Sequence, residues 1–541
     1  MQKAPLHVIR NPVTALVLMG ALASVAIAAD SASVLPAEPD VAQLRAMLVS
    51  HRTTASTVVR HYLQRIDTLD VHGPALHAII QVNPDAAALA AQLDAAPAQA
   101  PARAGVLFGV PVVLKDNIET EGGMLTTAGS LALVDSRPRR DAFIVRKLHA
   151  SGALILAKTN LSEWANFRSS RSTSGWSGRG GLTRNPYDTT RNACGSSSGS
   201  GVAVAADLTV LAVGTETDGS IVCPASFNGL VGIKPTVGLV SRSGIIPISA
   251  RQDTAGPMAR SVADAAALLT VLAGYDPDDA ATAPLKDAPP PDYRRFLDPG
   301  ALKGKRIGVV RSLAGFDDEV DLLFNRALRV LRARGAIVVD PVRLPNADKL
   351  AAVELTALLY EFKDGLDRNL ASRVGAGPHS LPQLIAWNKA HASSEMFWFG
   401  QDLLVAAEAK GPLTDGAYIQ ARDKARRLAG PEGIDAALAR HHLDALVAPT
   451  NGPAFVNDLV NGDHILGGGI ITPPAVAGYP DITVPMGQVH GLPVGLSFVG
   501  AAFSEPKLIG IAYAYEQASH ARRRPRLPAS GTQECASGCT P

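Results

Sequence analysis

Two serine turns and one lysine are the residues of this chain whose types and spacing point to covalent chemistry. The first turn is Cys194-Gly195-Ser196-Ser197-Ser198-Gly199 and the second is Thr217-Asp218-Gly219-Ser220. Both lie within residues 193–236, where a small-residue apolar segment with helical character joins them. Glycines permit unusual backbone angles and let a chain approach a ligand closely. A serine on such a turn is a possible nucleophile, and the turn's amide hydrogens are possible donors to an oxyanion. The plain alternative is a pair of serines that cap buried helices. The lysine, Lys115, ends the run Val110-Pro111-Val112-Val113-Leu114, an apolar strand of the kind buried on both faces. An unpaired buried ammonium is costly. Lys115 is therefore either half of an ion pair, with Asp116 or another carboxylate, or an amine that burial keeps neutral and able to take a proton.

The elements that must position these residues alternate between strand and helix. Helical spacing of Val41, Leu44 and Leu48, and of Val59, Tyr62, Leu63 and Ile66, predicts two helices before residue 70. A strand over 76–82 and an alanine-rich helix from Pro84 to about residue 93 follow. Beyond Lys115, Asp141 is placed to cap a helix that Gly152 ends. A strand over 153–157 then leads into a loop beginning Lys158-Thr159-Asn160, and residues 169–181 read as surface loop. Ser261 opens another helix, and residues 276–299 read as a long surface connection. Strands are expected at 306–310, 336–339, 446–449, 482–485 and 492–499, with a helix over about 318–334 and largely helical chain over 350–440. Pro506 starts the last helix with Ser504 as its N-cap, and the glycine-rich 462–469 is expected at the rim of a site.

Composition bounds the partners. With 541 residues, 47% of them hydrophobic, the chain can bury a large core; length alone allows about three domains, and equally one large α/β enzyme. Lys+Arg number 51 against 49 Asp+Glu, and the one basic cluster is Arg522-Arg523-Arg524, so nucleic acid is not an expected partner. At the start, Lys3, His7 and Arg10 precede the apolar run 13–27, and Ala26-Ile27-Ala28 has small-x-small cleavage lettering. Residues 1–28 read as a signal peptide, which predicts an exported protein, periplasmic or secreted. No other run is long and apolar enough to span a membrane. Four cysteines in an exported chain raise the question of disulfides; Cys194 and Cys223 each flank a serine turn, as free thiols or as a bridge, while Cys535 and Cys539 lie in the polar tail. No Cys/His group has zinc-ligand spacing, so neither a metal nor another cofactor is expected.

Longer matches narrow the class. Gly109-Val110-Pro111-Val112-Val113-Leu114-Lys115-Asp116-Asn117, then Gly195-Ser196-Ser197-Ser198-Gly199-Ser200, then Gly214-Thr215-Glu216-Thr217-Asp218-Gly219-Ser220-Ile221 and Gly232-Ile233-Lys234-Pro235-Thr236 resemble the amidase signature family. The similarity extends through Lys158-Thr159-Asn160 and Asp253-Thr254-Ala255-Gly256-Pro257 and covers nearly the whole mature chain. Leu359-Tyr360-Glu361-Phe362-Lys363 and Arg426-Arg427-Leu428-Ala429-Gly430-Pro431-Glu432-Gly433 are similar to the family's bacterial peptide-amidase type. The resemblance implies an α/β fold with a mixed, twisted central sheet covered by helices on both faces. The expected organisation is one domain over 29–528, with its signature core at about 76–270, and a polar tail at 529–541.

The same resemblance implies a Ser–Ser–Lys triad: Ser220 as nucleophile, Ser196 as bridging serine, 24 positions earlier (220 less 196), and Lys115 as base. It also implies a cis Gly195–Ser196 peptide and an oxyanion hole from the backbone amides of Thr217, Asp218, Gly219 and Ser220. Two residues depart from the common family pattern: Asp218 replaces a glycine and Val222 an arginine, departures that the peptide-amidase type shares. The implied activity is hydrolysis of the C-terminal carboxamide of peptides through an acyl-enzyme, by a monomer that leaves internal peptide bonds whole. Alternatives are an amidase for small non-peptide amides and an amidotransferase-type subunit. Gly195-Ser196-Ser197-Ser198-Gly199 also fits G-x-S-x-G, but that motif needs a strand before its serine, and 183–193 reads as polar loop.

Overall fold

The computed structural model describes residues 35–97 and 99–527; residues 1–34, where a signal peptide is expected, and 528–541 with Cys535 and Cys539, lie outside them. Eleven strands form one sheet. In chain order they are β1 (Ile79–Val82), β2 (Pro111–Lys115), β3 (Leu154–Thr159), β4 (Leu211–Glu216), β5 (Val231–Lys234), β6 (Thr254–Ala259), β7 (Arg306–Val309), β8 (Ile337–Val339), β9 (Ala445–Pro449), β10 (Asp481–Val489) and β11 (Leu492–Val499). Their spatial order is β1-β3-β2-β4-β6-β5-β10-β11-β9-β7-β8. β2 runs parallel to both β3 and β4, and β9-β7-β8 are parallel, while the central pairs from β4 to β11 are antiparallel. The sheet is thus mixed, as expected. β2, β4 and β9 are buried at every position, including the polar Lys115 that ends β2 and the Thr215-Glu216 that end β4.

Two short helices, Ser198–Ala205 and Val222–Phe227, pack against the sheet and each other. The longer Val262–Leu272, Asp318–Ala333 and Glu505–Ser519 form another layer against it. Ser261 caps its helix as expected, its hydroxyl accepting from the Asp264 amide at 3.1 Å. The helical stretch from Leu350 onward carries its own apolar cluster, in which Leu358, Leu359, Phe362 and Leu366 meet Trp164, Phe167, Ile246 and Ile248. Among the described residues no helix is long and apolar enough to cross a membrane.

Local departures from the sequence expectations have local causes. Asp141 does not cap: the helix is Phe143–Ala150, and the Asp141 carboxylate instead accepts from the Glu121 amide at 2.6 Å. β1 begins only at Ile79 because the buried Asp70 carboxylate takes the amides of Ala78 (2.6 Å) and Ile79 (3.0 Å). β3 runs on through Lys158, a buried residue whose ammonium donates to Ile118 O (2.6 Å) and Thr126 Oγ1 (2.7 Å). Residues 169–181 are not surface loop: most are buried, tied down by the fully buried Arg168, which pairs with Glu163 at 2.6 Å and lies 4.2 Å from the Phe399 ring centroid. Residues 276–299 bury Thr282, Leu285 and Tyr293 under short 3₁₀ turns. Ser504 sits at the N-cap of the last helix, but its hydroxyl donates back to Ala501 O at 2.6 Å instead of capping. The basic triplet is no free patch either, since Arg522 and Arg524 both pair with Glu38, at 2.7 and 2.6 Å.

Candidate active site

Lys115 is the last residue of β2, and its side chain is fully buried. Nζ donates to Thr215 Oγ1 at 2.8 Å and to Thr215 O at 3.1 Å, and lies in hydrogen-bond contact with Ser196 Oγ at 2.7 Å. None of these partners is charged. Burial therefore lowers the lysine to about 7, against a weaker opposing pull from the Asp253 and Glu216 carboxylates. Of the two sequence readings of Lys115, the geometry matches the amine kept neutral rather than the ion pair. Asp116 does not pair with it, accepting instead from Thr127 at 2.5 Å and lying 3.5 Å from Arg179.

Ser196 follows a cis peptide bond with Gly195. Its carbonyl accepts from the Ser162 amide at 3.1 Å. A Cβ on Gly195 would stand 2.1 Å from Ser162 Oγ, so only glycine lets the turn sit there. Ser197 occupies the N-cap of the following helix without capping it; its hydroxyl donates to Thr215 O at 3.0 Å and accepts from Thr215 N at 3.2 Å, stapling the turn to β4. Residues 183–193 form no named strand, so the G-x-S-x-G lettering lacks the strand it requires.

The second turn follows β4. Its Ser220 is not a helix cap either: the amides at the start of Val222–Phe227 are taken by the buried Glu216 carboxylate, which accepts from Ile221 N (2.7 Å) and Val222 N (3.0 Å). A carboxylate among the unpaired amides of a helix start is electrostatically matched. Glu216 also accepts from Gly219 N at 3.0 Å. That contact corrects the expected oxyanion hole, because the Gly219 amide is already engaged. The amides of Thr217, Asp218 and Ser220 donate to no protein group among the described residues. The Thr217 hydroxyl is pinned by Asp253 at 2.6 Å. Thr472 Oγ1 donates to Asp218 Oδ2 at 2.9 Å, and Gln252 Nε2 to Glu354 Oε1 at 2.7 Å. Burial pushes the Asp218 and Glu354 carboxyls up, and the neighbouring Asp218 charge adds to the rise of Glu354.

The two turns are joined covalently by a disulfide between Cys194 and Cys223, whose Cα atoms lie 5.9 Å apart. They are joined non-covalently by Ser197 N donating to Ser220 O at 3.2 Å. Ser220 and the disulfide border a cavity of about 500 Å³ that Gly195, Thr217 and Asp218 also line. Leu358 and the Gly468-Gly469 segment line it too, as the expected rim predicts. The structure thus brings Lys115 to Ser196 and seats Ser220 on the cavity that the neighbouring Gly195 lines. Sequence reasoning missed Thr215, Ser162 and the roles of Glu216 and Asp253, since Thr and Ser beside a turn look like ordinary loop residues.

With this geometry in hand, comparison with known proteins is direct. The Amidase family model matches residues 57–509. The structure of a peptide amidase in complex with the competitive inhibitor chymostatin is similar at 56% identity and TM-score 0.87, covering 91% of this chain and 99% of that one. Native peptide amidase from Stenotrophomonas maltophilia gives 55%, 0.86, 91% and 99% for the same quantities. A probable amidase of Arabidopsis thaliana is 40% identical over 499 residues, 91% of this chain and 92% of the relative. The chain belongs to the amidase signature family, and it is an amidase, a hydrolase of carbon–nitrogen amide bonds.

Proposed function

We propose that this amidase removes the C-terminal carboxamide of peptides, giving free acid and ammonia through an acyl-enzyme on Ser220. The observation that carries the chemistry is the fully buried Lys115 amine 2.7 Å from Ser196 Oγ, beside a turn that presents Ser220 to the cavity. A serine hydroxyl is a weak nucleophile until a base takes its proton. Ser220 gives its proton to Ser196 as Ser196 gives its own to neutral Lys115, and Ser220 Oγ bonds to the amide carbon. The negative charge moves to the carbonyl oxygen, which the free amides of Thr217, Asp218 and Ser220 are placed to receive. The proton returns from Lys115 through Ser196 to the leaving nitrogen, the C–N bond breaks and ammonia departs. Water then repeats the cycle on the ester, releasing the acid and restoring Ser220.

Similarity to peptide amidases at 56% and 55% identity supports a peptide amide as substrate. The cavity supports it as well: none of its lining residues among the described ones is Lys, Arg or His, so nothing there attracts a free C-terminal carboxylate. The reading fixes a pH dependence. The working form of Lys115 is the neutral amine, and its ordinary value is lowered to about 7. Ammonia release from an N-acetyl dipeptide amide should therefore be full at mildly alkaline pH. Its kcat/KM should fall about tenfold per pH unit on the acid side. A flat profile between pH 5 and pH 8 (roughly the range over which such a base titrates) contradicts the role given to Lys115.

Export is part of the same proposal. The apolar run 13–27 with its Ala26-Ile27-Ala28 lettering motivates it, and a structural disulfide supports an oxidising compartment. The mature protein is expected to begin at Ala29 and to fractionate outside the cytoplasm; an intact N-terminus on a cytoplasmic protein contradicts this.

A further inference from the structure

We propose that the Asp463 carboxylate accepts the backbone N–H of the residue that bears the carboxamide, making Asp463 a substrate-binding residue of the site; this rests on the peptide-amide reading above. Asp463 lies in the glycine-rich rim segment and lines the same cavity as Ser220. It is held in place from one side only. Ser174 N donates to Oδ1 at 2.9 Å and Ser174 Oγ to Oδ2 at 2.5 Å. Each carboxylate oxygen can accept more than one hydrogen bond, so both retain capacity toward the cavity. Ser174 in turn packs on the first serine turn, its Oγ within 3.0 Å of where a Cβ on Gly195 would stand. The chain Asp463–Ser174–Gly195 thus ties a carboxylate that lines the cavity to the first serine turn.

A peptide amide docked on Ser220 turns its scissile carbonyl oxygen toward the amides of Thr217, Asp218 and Ser220. The N–H one carbon away then needs an acceptor elsewhere in the cavity, because leaving it unmet on desolvation is costly. Two carboxylates line the cavity. Asp218 stands on the turn that carries those amides and its Oδ2 accepts from Thr472, whereas Asp463 comes from the separate rim segment. Burial raises Asp463, and the two Ser174 bonds counter that rise. Two other acceptors have capacity, Asn166 Oδ1 and Asp218 Oδ1, each buried without a partner, and the test separates them from Asp463.

The test compares an N-acetyl dipeptide amide with its depsipeptide analogue, in which an ester oxygen replaces that single N–H without added bulk. The mature wild-type enzyme should favour the N–H substrate about tenfold or more in kcat/KM, the size of a hydrogen bond to a charged group. In Asp463→Ala the preference should shrink to within about twofold, whatever the variant's overall activity, because the ratio cancels general damage to the rim. Asp463→Asn, which keeps the Ser174 contact, should give an intermediate ratio. A wild-type ratio near one overturns the proposal. So does a ratio that survives Asp463→Ala, which would assign the N–H to Asn166 or Asp218. Absence of ammonia from both substrates with wild type counts against the peptide-amide reading itself, a different failure.

Discussion

Lys115→Ala is expected to lower kcat/KM by about 10³-fold or more while the protein still folds. The substitution removes the terminal proton acceptor and leaves Ser196 Oγ without the partner now 2.7 Å away. Thr215 loses the same partner but keeps Asn117 Nδ2, which donates to its Oγ1 at 3.0 Å. Lys115→Met, which preserves volume, should be as inactive and should unfold at a higher temperature near neutral pH. The sign follows from linkage. The lysine is lowered to about 7 in the folded state and titrates at its ordinary, higher value when unfolded. Its burial therefore destabilises the fold fully below the folded value, and the penalty fades as pH rises toward the unfolded one. The penalty near neutrality is on the order of a few kcal/mol. Near-normal turnover in either variant, with the fold confirmed by circular dichroism, removes Lys115 from the mechanism.

The serine series should separate three adjacent hydroxyl groups by their contacts. Ser220→Ala is expected to be the most damaging, about 10⁴-fold or more, because no bond to the substrate can form. Ser196→Ala breaks the relay between Ser220 and Lys115 and should cost about 10³-fold. Ser197→Ala should cost about tenfold or less, since that hydroxyl only staples the turn to the Thr215 backbone, at 3.0 and 3.2 Å. Rates from ammonia release, with thermal melts to confirm folding, order the three. If Ser197→Ala is the most damaging, the relay is wrong and the G-x-S-x-G lettering regains its claim.

Much of the scaffold could be read from periodicity. Unbroken apolar runs gave β2 and β9, and Ser261 announced its helix. Lys115 stood out for one reason: a cation at the end of a doubly buried strand has no solvent to reach. The spacing of Ser196 and Ser220 carried meaning only through resemblance, because three consecutive serines are locally equivalent. What stayed hidden depended on contacts between distant segments. Asp141 looks like a cap until Glu121 claims it across the fold. Residues 169–181 look like surface because their glycines and serines give no apolar period, yet Arg168 draws them inward. The Gly219 amide looks open until the Glu216 carboxylate, three residues earlier, turns back to it at 3.0 Å. Asp463 sits in a loop without periodicity, and only tertiary packing on Ser174 reveals that it faces the cavity.

Ser220 is proposed to acylate at the terminal carboxamide of a peptide and nowhere else along it. Ordinary peptide bonds present the same carbonyl, so the discrimination must come from a cavity that closes behind the leaving nitrogen. Excess volume in a packed site costs roughly 1–3 kcal/mol or more. Mass spectrometry of a multi-residue peptide amide incubated with the mature enzyme tests this directly. The account predicts a single product heavier by about one mass unit, the exchange of NH2 for OH in one hydrolytic step, with stoichiometric ammonia and no shorter fragments. Internal fragments, or an untouched peptide amide alongside rapid hydrolysis of aryl or fatty amides, would contradict it.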